Sequence, residues 1–100
     1  MRLGWREIEV FAVLCYDSPD DRRRNTISQI ASHYGTRVQK SVFELEITER
    51  ALASLGRKLL QVADLVEDEL RLYVLCENCR HTIVVFSGKP PYRRPRSVVV

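Results

Sequence analysis

From Ile8 to Tyr16 the chain is almost continuously apolar: Ile-Glu-Val-Phe-Ala-Val-Leu-Cys-Tyr. Nine residues rich in β-branched and aromatic side chains predict a strand. A run this unbroken predicts a central strand covered on at least one face. Ser18-Pro19-Asp20-Asp21 follows. Serine caps helices, proline suits the first helical position, and acidic residues suit the positive end of the helix dipole. Ile27, Ile30, Ala31 and Tyr34 then recur at helical spacing and Gly35 supplies a terminator, so a helix is expected over 19–34. Phe43, Leu45 and Ile47 alternate with Glu44 and Glu46, the pattern of a half-buried strand. Residues 36–39 fit either a separate short strand or one side of a bulge. Thr48 caps a second helix with an apolar stripe at Leu52, Leu55, Leu59 and Val62. An acidic connection, 66–69, leads to Leu70, Leu72 and Val74, which alternate with Arg71 and Tyr73 as another strand. A polar turn at 76–81 and a short apolar strand at 82–86 come next. The basic, proline-rich segment 89–96 is expected to be extended, and Val98-Val99-Val100 is able to add to a sheet edge.

The order β-α-β-β-α-β, with one extra C-terminal strand, is that of the ferredoxin-like α+β fold. It predicts an antiparallel sheet carrying both helices on one face. Residues 1–88 form the domain and 89–100 a tail. The second face of the sheet then needs a cover, because the apolar first strand is costly to leave in water. A homodimer packed sheet against sheet supplies one.

At 100 residues and 11.6 kDa the chain holds one ordinary core and has little room for a deep pocket besides. Function is therefore expected at the surface. No apolar run approaches the ~20 residues of a membrane helix. The first residues lack the pattern of a signal peptide, and three cysteines suggest no disulfide framework. Both point to the cytoplasm, with no membrane partner. The net charge of +3 is unevenly spread: +2 over residues 1–43, −4 over 44–69 and +5 over 70–100. Such a chain can present a basic face to phosphate backbones.

Asp17 is the first chemical candidate. It directly follows the apolar strand, so its carboxylate is held rigidly yet reaches solvent, which suits a hard cation such as Mg²⁺. The plain alternative is a turn aspartate. One carboxylate makes a poor site unless a two-fold axis brings two copies together. Arg22-Arg23-Arg24 spans about 200° of helix, so at least one guanidinium should face the loop and be able to grip phosphate. The alternative is a solvated face paired with Asp20 and Asp21. Cys76 and Cys79, with His81 nearby, amount to half a zinc site; a structural zinc needs four ligands, so polar turn cysteines are the default. The chain has no glycine-rich phosphate loop.

Val13-Leu14-Cys15-Tyr16-Asp17, then Asp20-Asp21-Arg22-Arg23-Arg24, then Tyr34-Gly35-Thr36-Arg37-Val38-Gln39-Lys40-Ser41-Val42-Phe43-Glu44 closely resemble the CRISPR-associated protein two family. These are small ferredoxin-like proteins of spacer acquisition in antiviral defence. The resemblance runs from about Val10 to Gly88 and includes Tyr73-Val74-Leu75-Cys76. It implies a homodimer in which Asp17 of each chain faces the other across the two-fold axis. The pair would share one Mg²⁺ (or Mn²⁺) and support hydrolysis of phosphodiester bonds in RNA or double-stranded DNA. It also implies a complex with CRISPR-associated protein one, the integrase. Tyr16, Arg24, Arg37 and Phe43 match positions that the family uses near the active site or for nucleic acid. Some nuclease-active members carry a second basic residue two positions beyond the one matched by Arg24; here that position is Thr26.

Three functions follow as expectations. In the first, two Asp17 carboxylates place a metal ion that lowers the pKa of a bound water, with Arg24 and Arg37 offsetting the developing charge. In the second, the dimer is a non-catalytic DNA-binding adaptor that bridges integrase dimers. In the third, the fold cuts cellular RNA without an integrase partner.

Overall fold

The computed structural model describes residues 9–75, together with 84 and 86. Its elements follow the order β1 (Glu9–Asp17), α1 (Asp21–Ser32), β2 (Gly35–Gln39), β3 (Val42–Thr48), α2 (Glu49–Val62) and β4 (Glu69–Leu75). The strands form one antiparallel sheet in the order β2-β3-β1-β4. This is the ferredoxin-like arrangement the hydrophobic pattern predicts. Of the expected strand at 82–86 only Val84 and Phe86 are described, both exposed and in no strand; the cysteines at 76 and 79 and the tail at 89–100 lie outside the described residues.

β1 lies between β3 and β4, as its apolar run requires. Its register pairs Leu14 with Phe43 and Ala12 with Leu45 on one side, and Leu14 with Leu72 on the other. Side chains alternate across a sheet, so Ala12, Leu14 and Tyr16 share a face with Phe43, Leu45 and Ile47. Both helices cover that face, α1 through Ile27 and Ala31, α2 through Leu55 and Leu59. The opposite face carries Phe11, Val13, Cys15 and Asp17 from β1 beside Val42, Glu44 and Glu46 from β3. Phe11 and Glu46 are buried there, while Val13, Cys15 and Val42 are half-buried.

Helix α1 starts and stops inside its expected limits. Asp20, not Ser18, is the N-cap: its extended backbone (φ −98°, ψ 119°) lets the carboxylate accept from the Arg23 amide at 2.8 Å. Ser18 is already engaged elsewhere. At the other end the helix stops at Ser32, and the His33 and Tyr34 amides donate to the Ile30 and Ala31 carbonyls. Gly35 is therefore not the terminator. It opens β2 opposite Leu45, where a Cβ would run into the Glu44 carbonyl oxygen and the Leu45 Cδ2 methyl. Residues 36–39 belong to a separate strand that also carries an irregularity between Arg37 and Gln39, so both features left open by the sequence are present.

The two described glycines give opposite predictions. Gly35→Ala forces β2 away from β3 and should cost ~1–3 kcal/mol. A Cβ on Gly56, in the middle of α2, meets nothing within 4 Å. Gly56→Ala should therefore gain up to ~1 kcal/mol from helix propensity. Urea unfolding midpoints for the two variants, moving in opposite directions, check this.

Candidate functional site

Asp17 is the last residue of β1 and is exposed. Its backbone pairs with Glu69 of β4, and its side chain belongs to the face away from the helices. The chain then turns through Ser18 and Pro19 into α1. This turn is braced from several directions. Ser18 is buried, and its hydroxyl donates to Asp68 Oδ1 at 2.6 Å. The Ser18 carbonyl accepts from Arg24 Nη1 at 2.6 Å. Arg24 is in turn paired with Asp21 through Nη2.

Asp68 is the centre of the bracing. Its carboxylate has no solvent-accessible surface and accepts from Ser18, from Arg23 Nε at 2.9 Å and from the Asp64 amide at 2.9 Å. Arg23 extends the cluster to Glu67 at 2.8 Å. The 64–68 connection is self-bonded as well: Asp64 Oδ1 accepts from the amides of Val66 and Glu67, and the Asp68 amide donates to the Asp64 carbonyl at 2.7 Å. The Arg23 guanidinium, then the Ser18 hydroxyl, hold the Asp68 carboxyl down at about 2, below its ordinary 3.8. The same contact, led by Asp68, raises the Arg23 guanidinium above its ordinary value.

A carboxylate whose folded pKa is depressed contributes stability above its unfolded pKa and loses it as pH falls through the folded one. The unfolding midpoint should therefore fall between pH 4 and pH 2. In Asp68→Asn that part of the slope should be missing: its midpoint should be lower at neutral pH, and the gap to the wild type should close as pH falls toward 2. Urea melts from pH 7 to pH 2 measure both.

The other site residues expected from sequence are dispersed. Tyr16 is 5% exposed, its ring stacked on Phe43 at 6.3 Å between centroids, and its buried hydroxyl has no hydrogen-bond partner. Phe43 is 1% exposed. Both rings belong to the core. Arg37 is exposed on the helix side of the sheet. Its guanidinium bonds the Ser28 hydroxyl and sits 5.7 Å from the Phe43 ring centre. Within one chain it does not share a face with Asp17. Thr26 donates to the Arg22 carbonyl at 2.9 Å and caps nothing charged. Of the three consecutive arginines, Arg23 and Arg24 are spent on carboxylates and the Ser18 carbonyl, while Arg22 is exposed with no ion pair among the described residues.

Sequence reasoning missed Ser18 and Asp68. By local pattern Ser18 fits a helix cap and Asp68 an acidic linker. The available signal was an aspartate four residues after Asp64, the spacing of a loop that bonds itself.

No group of three histidine, cysteine or acidic side chains able to hold a metal exists among the described residues. Nor is any described helix long and apolar enough to cross a membrane.

The chain is thus a small ferredoxin-like α+β domain whose first strand ends in an exposed carboxylate, on a turn braced by arginine. The chain belongs to the CRISPR associated protein Cas2 family, whose model matches residues 10–83. It is 35% identical over 88 residues to the CRISPR-associated endoribonuclease Cas2 3 of Synechocystis sp., covering 88% of this chain and 95% of that protein. It is 45% identical over 60 residues to the CRISPR-associated endonuclease Cas2 2 of Thermus thermophilus, covering 60% of this chain and 67% of that protein. Among solved structures, a chain of a partial Cas6-RT-Cas1–Cas2 complex superposes with a TM-score of 0.72 at 27% identity, over 91% of this chain and 99% of that one.

Proposed function

We propose that the chain is a metal-dependent endonuclease subunit of CRISPR spacer acquisition, working as a homodimer with Asp17 as the catalytic residue of each copy. The observation that carries the reading is the exposed Asp17 carboxylate on a turn fixed by buried polar contacts. Relatives named endoribonuclease and endonuclease support hydrolysis of RNA or of double-stranded DNA.

Asp17 would hold a Mg²⁺ (or Mn²⁺) ion. A carboxylate is the right donor, since Mg²⁺ takes one or two of them and fills the rest of its shell with water and phosphate oxygens. Within one chain the carboxylate nearest in register, Glu69, is paired with Arg71, and a second copy related by a two-fold axis would supply a second Asp17. The half-buried apolar strip of Val13, Cys15 and Val42 on the face of Asp17 is the surface we assign to that pairing. When bound, the ion would acidify a water and neutralise the attacked phosphate. Arg24 uses two of its five N–H donors inside the chain and keeps 37% of its side chain exposed, enough to meet a phosphate beside Asp17. Arg37 would grip the nucleic-acid backbone from the helix side. The buried Tyr16 and Phe43 would act by holding β1 and β3 in place.

The purified chain should cut RNA or duplex DNA with Mg²⁺ or Mn²⁺ and stop in excess chelator. Cleavage that persists in chelator, or no cleavage of either substrate, would falsify the enzymatic reading.

The likeness to a chain of a Cas1–Cas2 complex favours a second reading, a dimeric DNA-binding adaptor that bridges integrase dimers. Exposed Arg22, Arg57 and Lys58 on the helices suit duplex phosphates. On this reading DNA affinity falls steeply with salt, and spacer acquisition survives the loss of Asp17.

A further inference from the structure

The bracing around Ser18 has a consequence for Asp17. Ser18 follows it directly in the chain and is nearly inaccessible, with 2% of its surface exposed. Its two polar groups are held from opposite parts of the fold. The hydroxyl is held by Asp68, 50 residues away on the α2–β4 connection, and the carbonyl by Arg24 on α1. On the strand side, the Tyr16 amide donates to the Ser41 carbonyl at 3.1 Å in the β2–β3 turn. Asp17 is thus an exposed side chain between two residues whose backbones are fixed. Asp68 is fixed too, by Arg23 and the Asp64 amide.

A surface carboxylate that only needs to be solvated gains nothing from such support. A carboxylate that must present its oxygens in one place does, because partners that orient a metal ligand commonly change metal affinity or activity 10–100-fold.

We propose that Asp68 is a positioning residue that acts through Ser18 to fix the Asp17 carboxylate for a divalent cation. This rests on the metal-dependent reading of Asp17. Asp68 itself stays inside the fold, closed to both the ion and the substrate, and Ser18 meets neither.

The test is Mn²⁺ binding to the full chain without nucleic acid, followed by water-proton relaxation, alongside cleavage kinetics. The wild-type chain should bind Mn²⁺, and Asp17→Ala should not. Ser18→Ala and Asp68→Asn should each weaken Mn²⁺ about tenfold, while the KM for nucleic acid stays unchanged. Ser18→Thr, which keeps the hydroxyl, should restore binding. Circular dichroism melts confirm that each variant is folded at the assay temperature. A purely structural role would lower the melting temperature and leave Mn²⁺ affinity where it was. If Asp17→Ala loses Mn²⁺ but Ser18→Ala and Asp68→Asn bind it as the wild type does, the positioning role is overturned and the metal reading stands. If Asp17→Ala binds Mn²⁺ normally, the metal reading itself fails and takes this inference with it.

Discussion

Asp17→Ala is expected to lower metal-dependent cleavage by at least ~100-fold while leaving the protein as stable as before. The first half follows from the role assigned to the carboxylate. Removing a group that merely orients a ligand costs 10–100-fold, and removing the ligand itself costs no less. The second half follows from where the side chain is. Asp17 is exposed, and its backbone pairs with Glu69, so two acidic residues stand opposite each other across the β1–β4 ladder. Directly opposed like charges destabilise a sheet. Arg71 pairs with Glu69 at 3.4 Å and offsets part of that repulsion. Deleting the Asp17 carboxylate should leave the unfolding midpoint unmoved or slightly raised. A variant that keeps full cleavage would leave only the adaptor reading. A variant that loses cleavage and unfolds early would make Asp17 a structural residue.

The same variant separates the two functions in the cell. On the enzymatic reading spacer acquisition disappears with Asp17; on the adaptor reading it persists, because nothing in the scaffold depends on an exposed carboxylate.

The parts of the molecule legible in the sequence are those fixed by periodicity. The run from Ile8 to Tyr16 places β1 in the sheet's interior. The Phe43-Leu45-Ile47 alternation places β3, and the stripe through Leu55 and Leu59 orients α2. Position was legible for Asp17 too, since a polar residue that closes an apolar strand has few places to go. What stayed hidden are interactions between distant segments. Ser18 has every local property of a helix cap, but a buried aspartate 50 residues away takes its hydroxyl, and Asp20 caps instead. Gly35 looks like a helix terminator, yet it is glycine because β3 passes too close for a Cβ. Asp68 looks like one charge in an acidic linker, yet its side chain is sealed from solvent by Arg23 and Ser18. Aromatic residues next to a candidate site carry no label for the face they occupy. Register decides it, and it turns Tyr16 and Phe43 inward.

That inward placement makes Phe43→Ala the most damaging single substitution expected here. Phe43 is among the largest fully buried side chains, opposite Leu14 in the β1–β3 register and stacked against Tyr16. Truncation leaves a cavity that rigid sheet neighbours on both sides cannot close. Such losses run to ~3–5 kcal/mol, against a total of about 5–15 kcal/mol for a domain of ordinary stability. The Arg37 guanidinium would also lose the ring it covers, a further ~0.5–1 kcal/mol at an exposed position. Phe43→Leu refills most of the volume and should recover most of the stability. This pair also decides what Phe43 does for nucleic acid. If the ring acts only by packing, Phe43→Leu binds RNA and duplex DNA as tightly as the wild type, at equal salt. If the ring contacts a base, Phe43→Leu should weaken binding while remaining folded. Urea melts and binding titrations on the two variants give the answer, and unchanged binding by Phe43→Leu is the outcome the buried ring requires.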